Sequence, residues 1–149
     1  RNLLKGIGQQ MKWSVRDESL HSKMGCQLFR HMCQEDESLL EACREDILLA
    51  AKTMLVLEEN YIDKMFEMGD IEGISSNDLK EFIKKRTNEK LAELGYIDLG
   101  SYFAYDEEAA STLDWFYHLT GGHTHTDFFA IRPTDYSKAN EGDDFEDVW

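Results

Sequence analysis

Asp17, Glu18 and His21 are the residues of this chain whose types and spacing could do chemistry. They fall in the run Trp13-Ser14-Val15-Arg16-Asp17-Glu18-Ser19-Leu20-His21. Positions i and i+3 share a helix face, so Glu18 and His21 can reach one point in space. Met11, Val15, Gly25, Leu28 and Phe29 lie on the same stripe, which predicts that the pair faces the core. A charged carboxylate on a buried face is costly unless something compensates it. A metal ion would explain both residues, because carboxylate and imidazole both suit iron and manganese. Asp17 sits one position round, on a neighbouring apolar strip with Trp13, Leu20 and Met24, and Arg16 is adjacent. The plainer alternative is an intrahelical Glu–His pair at a partly wet interface.

One Glu-x-x-His supplies two ligands. A dinuclear site inside a helical bundle takes about twice that number or more. No second Glu-x-x-His follows in the chain. Glu58 shares a stripe with Leu55 and Ile62 on the next helix, where a satisfied buried acid is a better reading than a ligand. His123 and His125 form a His-x-His in a Gly-rich turn, and local hydrogen bonding accounts for them more simply than a metal.

Helices must position these groups. Apolar spacing of three and four residues predicts one long helix over about 3–33 and a second over about 38–68, the latter closed by Gly69. Ser75 with Asp78 three residues on is a capping box, and it starts a third helix over 76–94 that Gly95 stops. Beyond Gly95 the periodicity is lost and aromatic residues accumulate, with one short helix over 109–118. The predicted class is all-α: a helical domain over 1–132 and an acidic tail over 133–149.

Composition narrows the function. A net charge of −14 disfavours nucleic acid and anionic membranes as partners. No stretch approaches the ~18 apolar residues of a membrane span, and no signal peptide is visible. Cys26, Cys33 and Cys43 are odd in number with no Cys-x-x-Cys, which reads as free thiols in a reducing, cytoplasmic setting. The chain opens at Arg1 directly in helical sequence, as the C-terminal part of a longer protein would, and equally as a trimmed chain would.

The run from Gly6 to His21 resembles the Arg-Asp-Glu-x-Leu-His helix of the small, radical-generating subunit of class I ribonucleotide reductase. Further stretches agree in order: Glu59-Asn60-Tyr61-Ile62-Asp63 through Gly69-Asp70, Phe82-Ile83 through Gly95-Tyr96, His125-Thr126-Asp127-Phe128-Phe129, and Arg132-Pro133-Thr134-Asp135-Tyr136-Ser137-Lys138. The resemblance implies a ferritin-like helical bundle, of which this chain matches the C-terminal part. It implies a dinuclear iron or manganese/iron centre completed by residues outside the chain, with Glu18 and His21 as ligands of one ion. Asp17 then matches the residue that hydrogen-bonds a metal-bound His and stands, with Tyr136, on the route of the radical. The partners implied are the large, nucleotide-reducing subunit and a second small subunit, and the reaction is reduction of ribonucleotides to deoxyribonucleotides. Ser14 stands where many relatives have an apolar residue, and Ser111-Thr112-Leu113-Asp114-Trp115 lacks the prolines usual there.

The last nine residues hold five acids together with Phe145, Val148 and Trp149. Read alone, that pattern suits a segment that orders on docking. The resemblance makes the large subunit its target, with these three side chains as anchors. The competing reading is a non-catalytic helical interaction module in which Glu18 and His21 form a buried pair. Another di-metal oxygenase of the same fold fits the tail and Tyr136 less well.

Overall fold

The structure, a computed structural model, describes residues 5–120. Among these residues the architecture is all-α, with one lone antiparallel bridge between Ile71 and Ile74. No helix of the described residues is long and apolar enough to cross a membrane.

Helix α1 runs Lys5–Glu35, close to its predicted span and uninterrupted over 31 residues. It ends in a turn at Asp36, whose carboxylate accepts from the Ser38 backbone N–H at 3.0 Å and the Ser38 hydroxyl at 2.6 Å. Asp favours this conformation because its short side chain can bond its own backbone two residues on.

The helix predicted over 38–68 is two helices, α2 (Ser38–Ala42) and α3 (Arg44–Met65). The reason is distant in sequence. The Tyr96 hydroxyl donates to the Leu40 carbonyl at 2.8 Å, the acceptor that a continuous ladder would give to the Arg44 N–H. The Cys43 N–H keeps its ordinary partner, the Leu39 carbonyl, at 2.9 Å, and it is the bond to the Glu41 carbonyl that departs from the ladder at the joint. A side chain inserted into the i→i−4 ladder is a known cause of a break. Helix α3 also stops short of Met68, with Gly69 beyond it at φ +105°.

Helix α4 (Ser76–Leu94) starts and stops as its sequence predicts. The Asp78 N–H donates to the Ser75 hydroxyl at 3.1 Å, and the Ser75 N–H donates to the Asp78 carboxylate at 2.9 Å. At the other end Gly95 takes φ +113°. The Tyr96 N–H reaches the Leu91 carbonyl and the Gly95 N–H reaches that of Ala92, both at 3.0 Å. This is a Schellman closure, which favours glycine at the left-handed position.

A 3-10 turn at Ile97–Leu99 follows. The single short helix predicted over 109–118 is two, α5 (Glu107–Ser111) and α6 (Trp115–Thr120). Leu113 is buried in the turn between them. The Lys85 ammonium bridges that turn, at 2.8 Å from Glu107 and 3.4 Å from Asp114. The hydrogen bond to Glu107 is the main reason its pKa is held above the ordinary lysine value.

Helix α4 is the hub: α1, α3, α5 and the 3-10 turn all pack against it. One core cluster lies where the 3-10 turn meets α4, with Leu48, Leu91, Tyr96 and Leu99 buried and Phe29, Leu40 and Ile47 around them, while Leu55, Ile62, Phe82, Ala110 and Leu113 are buried outside it. Asn88, 2% exposed, ties α4 to the chain beyond. Its amide nitrogen donates to the Phe103 carbonyl at 2.8 Å and its amide oxygen accepts from the Phe103 N–H at 3.0 Å. One side chain thus satisfies both backbone groups of a loop residue. Asn88→Ala should leave both groups short of partners and cost about 2–4 kcal/mol, read as a shift of the urea unfolding midpoint with unchanged slope.

Candidate metal centre

Asp17, Glu18 and His21 come together on α1. One ligand atom from each lies within 4.8 Å of the others. His21 Nε2 is 3.8 Å from an Asp17 carboxylate oxygen, and His21 Nδ1 is 3.9 Å from one of Glu18. These separations are too long for direct hydrogen bonds and leave room between the donors. One imidazole and two carboxylates are a donor set that iron or manganese accepts, so the residues present fit a metal ion on chemistry and convergence.

Their surroundings differ from the expectation. Side chains of Asp17, Glu18 and His21 are 66%, 75% and 57% exposed. The face of α1 that packs on α4 and α6 carries Val15, Ser19, Cys26, Phe29 and Cys33, all half-buried. Met11 and Leu28, assigned to the same stripe as Val15 and Phe29, are exposed, as are Trp13, Leu20 and Met24. Helix α1 has apolar residues over more than one face, and only one of them is covered. The buried Glu–His pair of the interaction-module reading is therefore not found. Glu58 is likewise exposed rather than a buried acid, although Leu55 and Ile62 beside it are buried.

Glu18 lies on the edge of a cleft of about 820 Å³ between α1 and the α4–α6 pair, lined also by Ser14, Val15, Arg86, Glu89 and Tyr117. The Tyr117 hydroxyl donates to Glu89 at 2.7 Å, and the Arg86 guanidinium donates to the other Glu89 oxygen at 2.8 Å. The same guanidinium stands 4.9 Å over the Tyr117 ring. Burial, and then the Glu89 carboxylate, push the Tyr117 phenol up to about 12. Sequence patterning missed this cluster, because only the packing of α6 on α4 brings residue 117 to residues 86 and 89.

Cys26, Cys33 and Cys43 are free and half-buried, as small apolar residues would be. Burial pushes the Cys26 thiol up, away from the reactive thiolate. Ser14, the departure noted near the metal helix, is exposed at the cleft. Tyr136, Phe145, Val148, Trp149, His123 and His125 lie outside the described residues.

A family model described as ribonucleotide reductase, small chain, matches residues 1–100 of the chain. The chain belongs to that family. Its resemblance through the Asp17–His21 helix is thus a family relationship, and the all-α bundle has the ferritin-like class of the reductase small chain. Two relatives are viral. A probable ribonucleoside-diphosphate reductase small subunit of Invertebrate iridescent virus 3 is 33% identical over 143 residues, covering 93% of this chain and 36% of the relative. The corresponding probable small subunit of Invertebrate iridescent virus 6 is 27% identical over 168 residues, covering 98% of this chain and 46% of the relative. The reductase-family chain therefore spans less than half the length of either. No solved structure gives a significant match.

The Tyr117 phenol gives this site a pH signature. An unfolded tyrosine ionises near pH 10, whereas Tyr117 ionises near 12 in the fold. Between those values the unfolded chain has released a proton that the folded chain still holds. The contribution of Tyr117 to stability is thus present below about pH 10 and lost as pH rises toward 12. Tyr117→Phe should flatten that part of the alkaline stability profile and remove one late-titrating phenol from the absorbance at 295 nm.

Proposed function

We propose that these residues form part of the small subunit of a ribonucleoside-diphosphate reductase. The observation that carries this reading is the match of residues 1–100 to the reductase small chain, with Asp17, Glu18 and His21 converging inside that region. Glu18 and His21 would hold one ion of a dinuclear iron or manganese/iron centre, with the remaining ligands supplied by residues outside these 149. When bound, such a centre supplies oxygen activation and an oxidising equivalent held as a tyrosyl radical or comparable oxidant. Asp17 accepts a hydrogen bond from a metal-ligating imidazole, which fixes the tautomer and orientation of that ring. Asp17 and Tyr136 would line the outward route of that equivalent: the Asp17 carboxylate, which is not itself oxidised, would hold its hydrogen bond, and the Tyr136 phenol can lose a proton and an electron together. The large subunit uses the equivalent to reduce ribonucleotides to deoxyribonucleotides. The thiols that perform that reduction belong to the large subunit, so Cys26, Cys33 and Cys43 take no part.

The acidic C-terminal residues dock on the large subunit through Phe145, Val148 and Trp149, while the acids accelerate encounter. The small subunit works as a homodimer in the cytoplasm, without nucleic acid or membrane.

The donor geometry makes metal loading the decisive measurement. Three exposed donors on one helix are an incomplete set, so the chain alone should bind Fe(II) or Mn(II) weakly in equilibrium dialysis. Assembled with the rest of a small subunit it should hold about two ions per chain, and Glu18→Ala or His21→Ala should lower that content. Tight stoichiometric binding by these 149 residues alone would overturn the reading, as would unchanged metal content in assembled Glu18→Ala protein. For the tail, a peptide of residues 141–149 should compete with the whole chain for the large subunit. Trp149→Ala should weaken that competition at least tenfold, as for an interface anchor.

A further inference from the structure

Among the described residues, Tyr117 is the tyrosine that combines a carboxylate partner, a cation over its ring and a place in the cleft that Glu18 borders. Its hydroxyl donates to one Glu89 oxygen at 2.7 Å, and the other oxygen accepts from Arg86 at 2.8 Å. The ring packs edge-on to the buried Phe82, with 5.7 Å between centroids. The other phenols are placed differently. Tyr96 donates to a backbone carbonyl, which is too weak a base to take up a proton. Tyr61 and Tyr102 are exposed. Tyr105 bonds to Glu107, whose carboxylate is exposed and outside the cleft.

A phenol gives up an electron readily only when its proton leaves too, because a phenol radical cation is a very strong acid. Ionisation ahead of the electron is closed to Tyr117 at neutral pH, since burial and Glu89 push the phenol up to about 12. Transfer to a hydrogen-bonded base is open, through a short, charge-assisted O–H···O⁻ bond. The Arg86 guanidinium, 4.9 Å over the ring, repels any positive charge left there. Electron and proton must therefore leave together. Bonded to the far oxygen, Arg86 also keeps Glu89 a weak base, so the proton returns when an electron does.

We propose that Tyr117 is a redox-active phenol that holds an oxidising equivalent as a neutral radical, with Glu89 as its proton acceptor and Arg86 as the group that couples the two transfers. In the oxidation the Tyr117 O–H bond breaks, the proton forms an O–H bond on Glu89, and one electron passes to a one-electron oxidant, which is reduced. Only the identity of that oxidant rests on the proposed reductase function, where it is the equivalent made at the metal centre.

The test uses the whole chain without metal and a photogenerated ruthenium(III) polypyridyl complex as the oxidant. Freezing after a delay, by which radicals on exposed tyrosines have decayed, should trap a tyrosyl radical seen by EPR. A fluorotyrosine in place of Tyr117, with fluorine beside the hydroxyl, should split that signal through the fluorine nucleus. An unsplit signal would overturn the assignment, as would a trapped signal of undiminished size in Tyr117→Phe. Glu89→Gln keeps an acceptor oxygen but cannot take up the proton, so the radical yield should fall several-fold while the helical circular dichroism stays the same. A purely structural pair would shift the unfolding midpoint and leave the radical yield alone, and that result would sink the proposal. No metal enters this experiment, so its failure is distinct from failure of the metal reading, which equilibrium dialysis decides.

Discussion

The Tyr96 hydroxyl donates to the Leu40 carbonyl across 56 residues of chain, and the arrangement of the long helices follows from that bond. The ring is 2% exposed, packed at 6.2 Å from Phe29 of α1 and with the Arg44 guanidinium 5.8 Å over it. Its backbone N–H closes the end of α4. One residue thus joins α1, the α2–α3 joint and the C-terminus of α4. Truncating a buried aromatic to alanine typically costs about 3–5 kcal/mol, a large fraction of the stability of a small domain. Burial holds the phenol above its ordinary value, so the hydroxyl remains a donor throughout the neutral range. The Arg44–Asp98 ion pair lies beside it and sets the 3-10 turn against the start of α3.

Held at that end, the helices leave much of their apolar surface open elsewhere. Leu20, Met24 and Leu28 on α1, and Leu49 and Leu57 on α3, are each more than 60% exposed. Asp17, Glu18 and His21 lie amid the uncovered surface of α1. That placement constrains any covering partner. Apolar helices alone would bury two carboxylates without compensation, at a penalty of several kcal/mol per ion. A partner that covers this face must bring cationic groups or a metal ion with its own ligands. The chemistry of the site and the packing of α1 are therefore one requirement, and the family relationship supplies a known way of meeting it.

Local signals were legible in the sequence wherever the cause of a feature is local. The span of α1, the Ser75–Asp78 capping box and the Gly95 stop all arise from residues within a few positions of one another. The break at Cys43 was not legible, because Tyr96 lies far along the chain and a free Leu40 carbonyl leaves no mark on residues 38–44. The split between α5 and α6 likewise depends on Lys85 bridging Glu107 and Asp114. The expected burial of Glu18 and His21 fails for a different reason. Periodicity identifies apolar faces but not which of two is covered, and α1 has Val15 and Phe29 on one and Met24 and Leu28 on another. Asn88 gave no signal at all, since an asparagine in a helix is ordinarily exposed and its role appears only once Phe103 is placed beside it.

Charge explains why α4 can orient its neighbours despite so little enclosed core. Lys80 pairs with Asp63 and Lys84 with Glu59, which links α4 to α3, and Lys84 also pairs with Glu81 within α4. Glu81 also accepts from the Asp106 N–H at 2.7 Å, and Lys85 reaches Glu107, so the same stretch of α4 holds the start of α5. Exposed pairs of this kind contribute little each. Several are partly shielded, with the Glu81 and Lys85 side chains only 13% and 15% exposed, and breaking one partner there leaves a charge poorly solvated. Their effect is therefore on register more than on total stability: they select one rotation of α3 and α5 about α4. That rotation sets the α6 wall against Phe82 and Tyr117 against Glu89. Helix α1 packs on α4 and α6 together, so the placement of Glu18 and His21 depends on how α6 is held against α4.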